Sequence, residues 1–140
     1  MKSSARNQLT GIIHSIEDCS GCHSIAVQCG KHLVYSHISP PAYRSLKPQI
    51  GQTAVLLFKA NAITLFTEIH PLRLSAENSL EARVEAIEQG AVNNIVRLRT
   101  DDGFTLAAAI TLNSSESLDI RAGQRITAVF LASQTMLAIL

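Results

Sequence analysis

Tryptophan is absent from this chain, and only two Tyr and four Phe are present among 140 residues. A module that stacks nucleic-acid bases on aromatic platforms along a basic groove needs more than that. Charge of one sign is lacking too: the formal net charge is +1, so no broad cationic field draws a polyanion. These two absences predict no nucleic-acid partner. The longest apolar runs, Thr53 to Phe58 and Ile126 to Ala132, are far short of a membrane span, and no apolar stretch follows Lys2 and Arg6 as in a secretion signal. We therefore expect no membrane partner and a cytoplasmic location. Three cysteines cannot all pair within one chain, in keeping with free thiols in a reducing compartment. No Gly-rich phosphate loop is present, and no nucleophile, base and orienting residue recur in a recognisable order. Nothing supports an enzyme.

What the chain does have is a duplication. Ser4-Ala5-Arg6-Asn7-Gln8-Leu9 returns as Ser75-Ala76-Glu77-Asn78-Ser79-Leu80, His37-Ile38-Ser39 as Ala109-Ile110-Thr111, Ile50-Gly51-Gln52 as Ala122-Gly123-Gln124, and Phe58-Lys59-Ala60-Asn61 as Phe130-Leu131-Ala132-Ser133. The offset is 71 at Ser4 and 72 at Gly51, so the second copy gains a residue near Asp101-Asp102-Gly103. Two modules of roughly 65 residues are each near the lower limit for independent folding, so they are expected to press against each other or against further copies.

Short alternating runs rich in β-branched residues predict strands and an all-β fold. In the first copy they fall near 8–17, 24–29, 31–39, 53–59 and 63–68, and in the second near 80–88, 94–100, 104–111, 125–131 and 135–140. Five strands per copy suit a small OB-like Greek-key barrel. Pro40-Pro41 and Ser114 mark a short helical turn between the third and fourth strands, and Gly51 and Gly123 the return into sheet. We expect two such barrels in tandem, residues 4–69 and 75–140, joined by a linker at 70–74 whose Pro71 ends the strand before it. A strand exchanged between the copies would protect sheet edges as closure does.

The Ser-Ala-Arg-Asn-Gln opening, the Ile-Ser or Ile-Thr end of the third strand and the Leu-Phe-Lys-Ala turn resemble the molybdenum-pterin-binding, or Mop, domain family. Two copies in tandem are similar to the di-Mop proteins and to the C-terminal half of the molybdate-responsive regulator. The resemblance implies binding and storage of molybdate, and often tungstate, at contacts between Mop domains of a homo-oligomer, a trimer or a dimer. It also leaves open an oxyanion-sensing role beside a transporter or transcription regulator. It implies that Ser4, Arg6 and Lys59 supply a hydroxyl, a guanidinium and an ammonium, that Ser39 closes the third strand, and that Ala5, Asn7 and Ala60 offer backbone N–H groups. Met1 just before the first motif, with no helix-turn-helix segment, leads us to expect a stand-alone protein.

The chemistry agrees with those residue types. A tetrahedral dianion offers only acceptors, so its site must be built of donors. Hydrogen bonds to a charged group contribute roughly 1.5–3 kcal/mol each, and no single short segment here holds enough of them. An interfacial site follows, with Ser39 from one module and Ser4, Arg6 and Lys59 from another. In the second copy Glu77 and Leu131 replace both cations. A carboxylate at about 4 Å would repel the ion by about 4 kcal/mol per unit charge. Ser75, Asn78, Thr111 and Ser133 remain as neutral candidates for a weaker site there.

Cys19-Ser20-Gly21-Cys22-His23 spells a c-type haem attachment motif, but without an export signal no haem is expected. A zinc set of Cys19, Cys22, Cys29 and His32 would be split by about six extended residues, or about 17–20 Å, so no zinc is expected from it. His14, His37 and His70 occur singly and read as strand or linker residues.

Overall fold

A computed structural model describes residues 2–68 and 73–140. In the first copy the strands are β1 (Asn7–Cys19), β2 (Cys22–Cys29), β3 (His32–Ile38), β4 (Thr53–Phe58) and β5 (Thr64–Phe66). In the second they are β6 (Asn78–Glu88), β7 (Asn93–Thr100), β8 (Thr105–Thr111), β9 (Arg125–Phe130) and β10 (Met136–Ile139). Helical turns α1 (Pro40–Leu46) and α2 (Leu112–Ser117) separate the third strand from the fourth in each copy. The all-β expectation and its ten strands are met. Ser39 caps α1, its hydroxyl accepting the Ala42 N–H at 3.2 Å, and α2 is capped by Thr111 rather than Ser114, the Thr111 hydroxyl accepting the Ser114 N–H at 3.1 Å. The proposed linker at 70–74 lies largely outside the described residues. Among the described residues no helix is long and apolar enough to cross a membrane.

Two five-stranded sheets form, in the orders β10-β4-β1-β2-β3 and β5-β9-β6-β7-β8. The copies exchange their last strands: Met136 to Ile139 pair with β4, and Thr64 to Phe66 pair with β9. The expectation of closed barrels is corrected, because neither ladder returns to its first strand. The fifth strands are too short to reach round, at three and four residues. Each sheet instead curves at a bulge in its long first strand, between Ile13 and Ser15 and between Val84 and Ala86.

The open edges are closed by the other half. β3 and β8 are the outer strands of their sheets. Asn7 donates to the Ala107 carbonyl at 2.9 Å and accepts the Ala107 N–H at 2.7 Å. Asn78 does the same to Tyr35, donating at 2.9 Å and accepting at 2.7 Å. Each asparagine side chain, 1% exposed, acts as one rung of a missing strand. Between the two rungs Phe58 and Phe130, repeat mates, stack with centroids 4.2 Å apart. One apolar core runs through both copies, from Leu9, Ile25, Val34 and Leu56 to Leu80, Val96, Leu98 and Ala128. Neither half has a complete core of its own.

The extra residue of the second copy lies in a further bridge. Asp102 Oδ2 accepts the Lys31 N–H at 2.9 Å, and Thr100 donates its hydroxyl to Asp102 Oδ1 at 2.6 Å. Gly30 faces this carboxylate at φ +58°, where an added Cβ would lie 2.4 Å from Asp102 Oδ2. Burial opposes ionisation of Asp102, yet the Thr100 hydroxyl, the Lys31 N–H and the charge of nearby His32 together hold its carboxyl below the ordinary value. A depressed carboxyl stabilises the fold fully above its unfolded pKa, about 3.9, and loses that contribution as pH falls through the folded value. Asp102→Ala is therefore expected to lower the urea midpoint at neutral pH, with the gap to wild type shrinking below about pH 4. An undiminished gap at pH 3 would contradict this bridge.

Candidate functional site

The start of β1 and the turn after β4 are adjacent because Asn7 pairs with Phe58. That register brings Ser4, Arg6, Lys59 and Ala60 to one cleft of about 250 Å³, whose far wall is Asn93 of β7 and Ala109 of β8. Four of the expected residues thus meet where the copies abut. The lining carries two cations and no carboxylate. Ala60 opens a 3-10 turn, so its N–H has no partner within that turn. Arg6 is held loosely at the rim, its Nη2 3.8 Å from Glu88 Oε2, and Arg97 Nε lies 3.7 Å from the same carboxylate. Ala5 N–H donates to Ser3 Oγ at 3.2 Å. The Asn7 side chain is committed to Ala107, which leaves only its backbone for a ligand.

Ser39 is not in this cleft. The strand end that faces the first-copy cations belongs to the other copy: Thr111 pairs with Asn93, which lines the cleft. Thr111 is the repeat mate of Ser39, and its hydroxyl is engaged with Ser114 at the start of α2. The sequence offered no signal for Asn93, which stands one residue before the strand expected from 94 and proves to be the first residue of β7.

The second copy builds the mirror of this arrangement with other chemistry. Glu77, in the place of Arg6, accepts the Ala132 N–H at 2.8 Å. That N–H is the mate of Ala60's. The bond, with a smaller contribution from the nearby charge of His37, holds the Glu77 carboxyl below its ordinary value. Ser75 and Ser133 are exposed, and Asn78 is committed to Tyr35. Giving this copy the first one's cations, by Glu77→Arg with Leu131→Lys, is expected to add one oxyanion per chain in calorimetric titration. An unchanged stoichiometry would show that the cations do not decide which cleft binds.

Residues 3–65 and 74–137 match the TOBE domain. The chain belongs to the TOBE domain family. Both TOBE copies align together, over 99% of this chain and 52% of the relative, with the molybdenum transport protein ModE of Herbaspirillum seropedicae at 34% identity. One copy's length, 47% of this chain, aligns with 97% of molybdenum-pterin-binding protein 3 of Clostridium pasteurianum at 32% identity. Among solved structures, the cytoplasmic molybdate-binding protein ModG with molybdate bound superposes with a TM-score of 0.96 at 29% identity, covering 100% of both chains. The chain spans about half the length of the ModE relatives it matches.

The cysteines of this TOBE pair correct one expectation. Cys19 and Cys22, opposite each other where β1 meets β2, are joined as a disulfide with Cα atoms 5.0 Å apart. The parity of three cysteines excludes only that all of them pair. Cys29 is free and buried, and burial, aided by the Asp102 charge, pushes its thiol up to about 11. His32 Nδ1 stands 3.8 Å from Asp102 Oδ2. His23 stacks on Tyr43 at 3.9 Å, and its Nδ1 lies 2.9 Å from Asp18 but off the line of a hydrogen bond.

Proposed function

We propose that this chain binds molybdate, with tungstate as its analogue, reversibly and without catalysis, as a cytoplasmic store of the oxyanion. One observation carries the reading. Arg6, Lys59, the Ser4 hydroxyl and the Ala60 N–H converge on a cleft free of carboxylates, in a chain that superposes end to end on a protein crystallised with molybdate. The aromatics give no rival support, since Phe58 and Phe130 are stacked in the core. A homo-oligomer, a trimer or a dimer, accompanies this reading. Ser39 stands at the mirror position of the fold, so it joins Ser4, Arg6 and Lys59 only when a second chain supplies it. Titration calorimetry with molybdate and tungstate, beside a solution mass, tests both parts. Saturable binding by an assembly larger than one chain is expected; no heat with either ion, or a monomer, would contradict it.

A second reading, a sensing module that signals to a DNA-binding partner, draws on the match to about half of the E. coli DNA-binding transcriptional dual regulator ModE. Molybdate-dependent capture of a partner would favour it over storage.

A further inference from the structure

The mirror of the anion cleft has the ligand chemistry of a cation site. Where the first cleft has Arg6, Asn93 and Ala109, the second copy's cleft has Glu77, Cys22 and His37 at the matching repeat positions. The guanidinium of Arg6 has given way to a carboxylate, the amide of Asn93 to a thiol and the methyl of Ala109 to an imidazole, while Leu131 replaces the ammonium of Lys59. The register explains how they meet. Cys19 pairs with Cys22 across the end of β1 and β2, and Ser24, on the same face as Cys22, pairs with His37 of β3. The two sulfurs and a ring nitrogen of His37 lie within 4.8 Å of one another, and the three residues are half-buried. His37 in turn stands close enough to Glu77 to act on its charge.

We propose that, once the Cys19–Cys22 bond is reduced, Cys19, Cys22 and His37 bind a thiophilic metal ion, Cu⁺ in preference to Zn²⁺. Two thiolates and an imidazole are soft to borderline ligands. Three protein ligands complete a trigonal shell, whereas structural zinc sites take four. The neighbouring Glu77 carboxylate adds negative charge, which favours a cation and disfavours an oxyanion. His23, the adjacent histidine in sequence, is excluded because it points to Tyr43 on the opposite face. Cys29 is excluded by its burial and raised pKa.

The chemistry balances with a dithiol as reductant. It transfers two electrons and two protons to the disulfide, leaving two protein thiols and its own disulfide. Cu⁺ then displaces both thiol protons, so the Cu(S-Cys)₂(His) unit carries one negative charge and two protons leave to solvent. The cleft thus has two states, a disulfide without metal and a dithiolate with it.

The test is anaerobic titration of the dithiol-reduced protein with Cu⁺ against a chromophoric Cu⁺ chelator, with Zn²⁺ in a parallel arm. One equivalent of Cu⁺ is expected, with thiolate-to-copper absorption in the near ultraviolet. The oxidised protein and the Cys19→Ser, Cys22→Ser double variant should bind none, and His37→Ala should bind on the order of ten-fold more weakly. If the double variant fails to fold, alkylation of the reduced wild type with iodoacetamide replaces it, since buried Cys29 is shielded. Equal Cu⁺ binding by oxidised, alkylated or double-variant protein would overturn the site. Full affinity in His37→Ala would remove the histidine, and tighter binding of Zn²⁺ would overturn the choice of metal. Molybdate titration of the same samples is independent, because the first-copy cleft contains none of these residues.

Discussion

Arg6→Ala combined with Lys59→Ala is expected to weaken molybdate binding by about two orders of magnitude or more, with the fold intact. Each lost charge-assisted hydrogen bond contributes roughly 1.5–3 kcal/mol, so the pair amounts to roughly 3–6 kcal/mol, and every 1.4 kcal/mol is a factor of ten. Both side chains are exposed and neither contributes to the core, so the urea midpoint should hold. Arg6 does pair with Glu88 at 3.8 Å, but an exposed pair of that length contributes little. Calorimetry of the double variant against wild type is the check. Unchanged affinity would move the site away from this cleft, and lost stability would mean that the cations hold the copies together rather than a ligand. The single variants should each fall between these limits.

Asn7→Leu is expected to cost about 2–6 kcal/mol of stability, a large loss for a substitution that conserves volume. Leucine is welcome in an apolar core, so the cost comes from what remains behind. The Ala107 N–H and C=O lie on the outer strand of their sheet in a buried place, and Asn7 satisfies both. Removing one partner of a buried polar group leaves a desolvation penalty of about 1–3 kcal/mol for each. Asn78→Leu should act alike at Tyr35, and the double variant should lose both rungs that join the halves. Urea denaturation measures the effect. A loss under about 0.5 kcal/mol, the range of ordinary surface changes, would show that the rungs do not hold the halves together.

The strands were legible in the sequence because alternation and β-branched residues report which positions are half-buried, and those are local properties. Exchange of β5 and β10 was not legible as a definite pairing. Thr64-Leu65-Phe66 and Met136-Leu137-Ala138 are repeat mates, each fits the edge of either sheet, and an alternating pattern specifies a face rather than a partner. The cluster of Ser4, Arg6, Lys59 and Ala60 was legible through the resemblance of the opening motif and the turn to the Mop family, and comparing the two copies added that the second lacks both cations. Ser39 was read as coming from a different module than Ser4, Arg6 and Lys59, and within one chain it lies outside their cleft. The inserted residue near Asp102 showed as a break in register, but its bond to Lys31 depends on how the halves dock. His37 read as an isolated strand residue because its partners come from the neighbouring strand, Cys22, and the strand beyond it, Cys19, where only register brings them together.

The measurement closest to the central claim is diffraction at the molybdenum absorption edge from crystals grown with excess molybdate. Anomalous density is expected between Arg6, Lys59 and the Ala60 N–H, with a Ser39 or Thr111 hydroxyl completing the shell, and none against Glu77 and Ala132. A fully occupied peak beside Glu77, or a first-copy cleft left empty in molybdate-saturated crystals, would contradict the account.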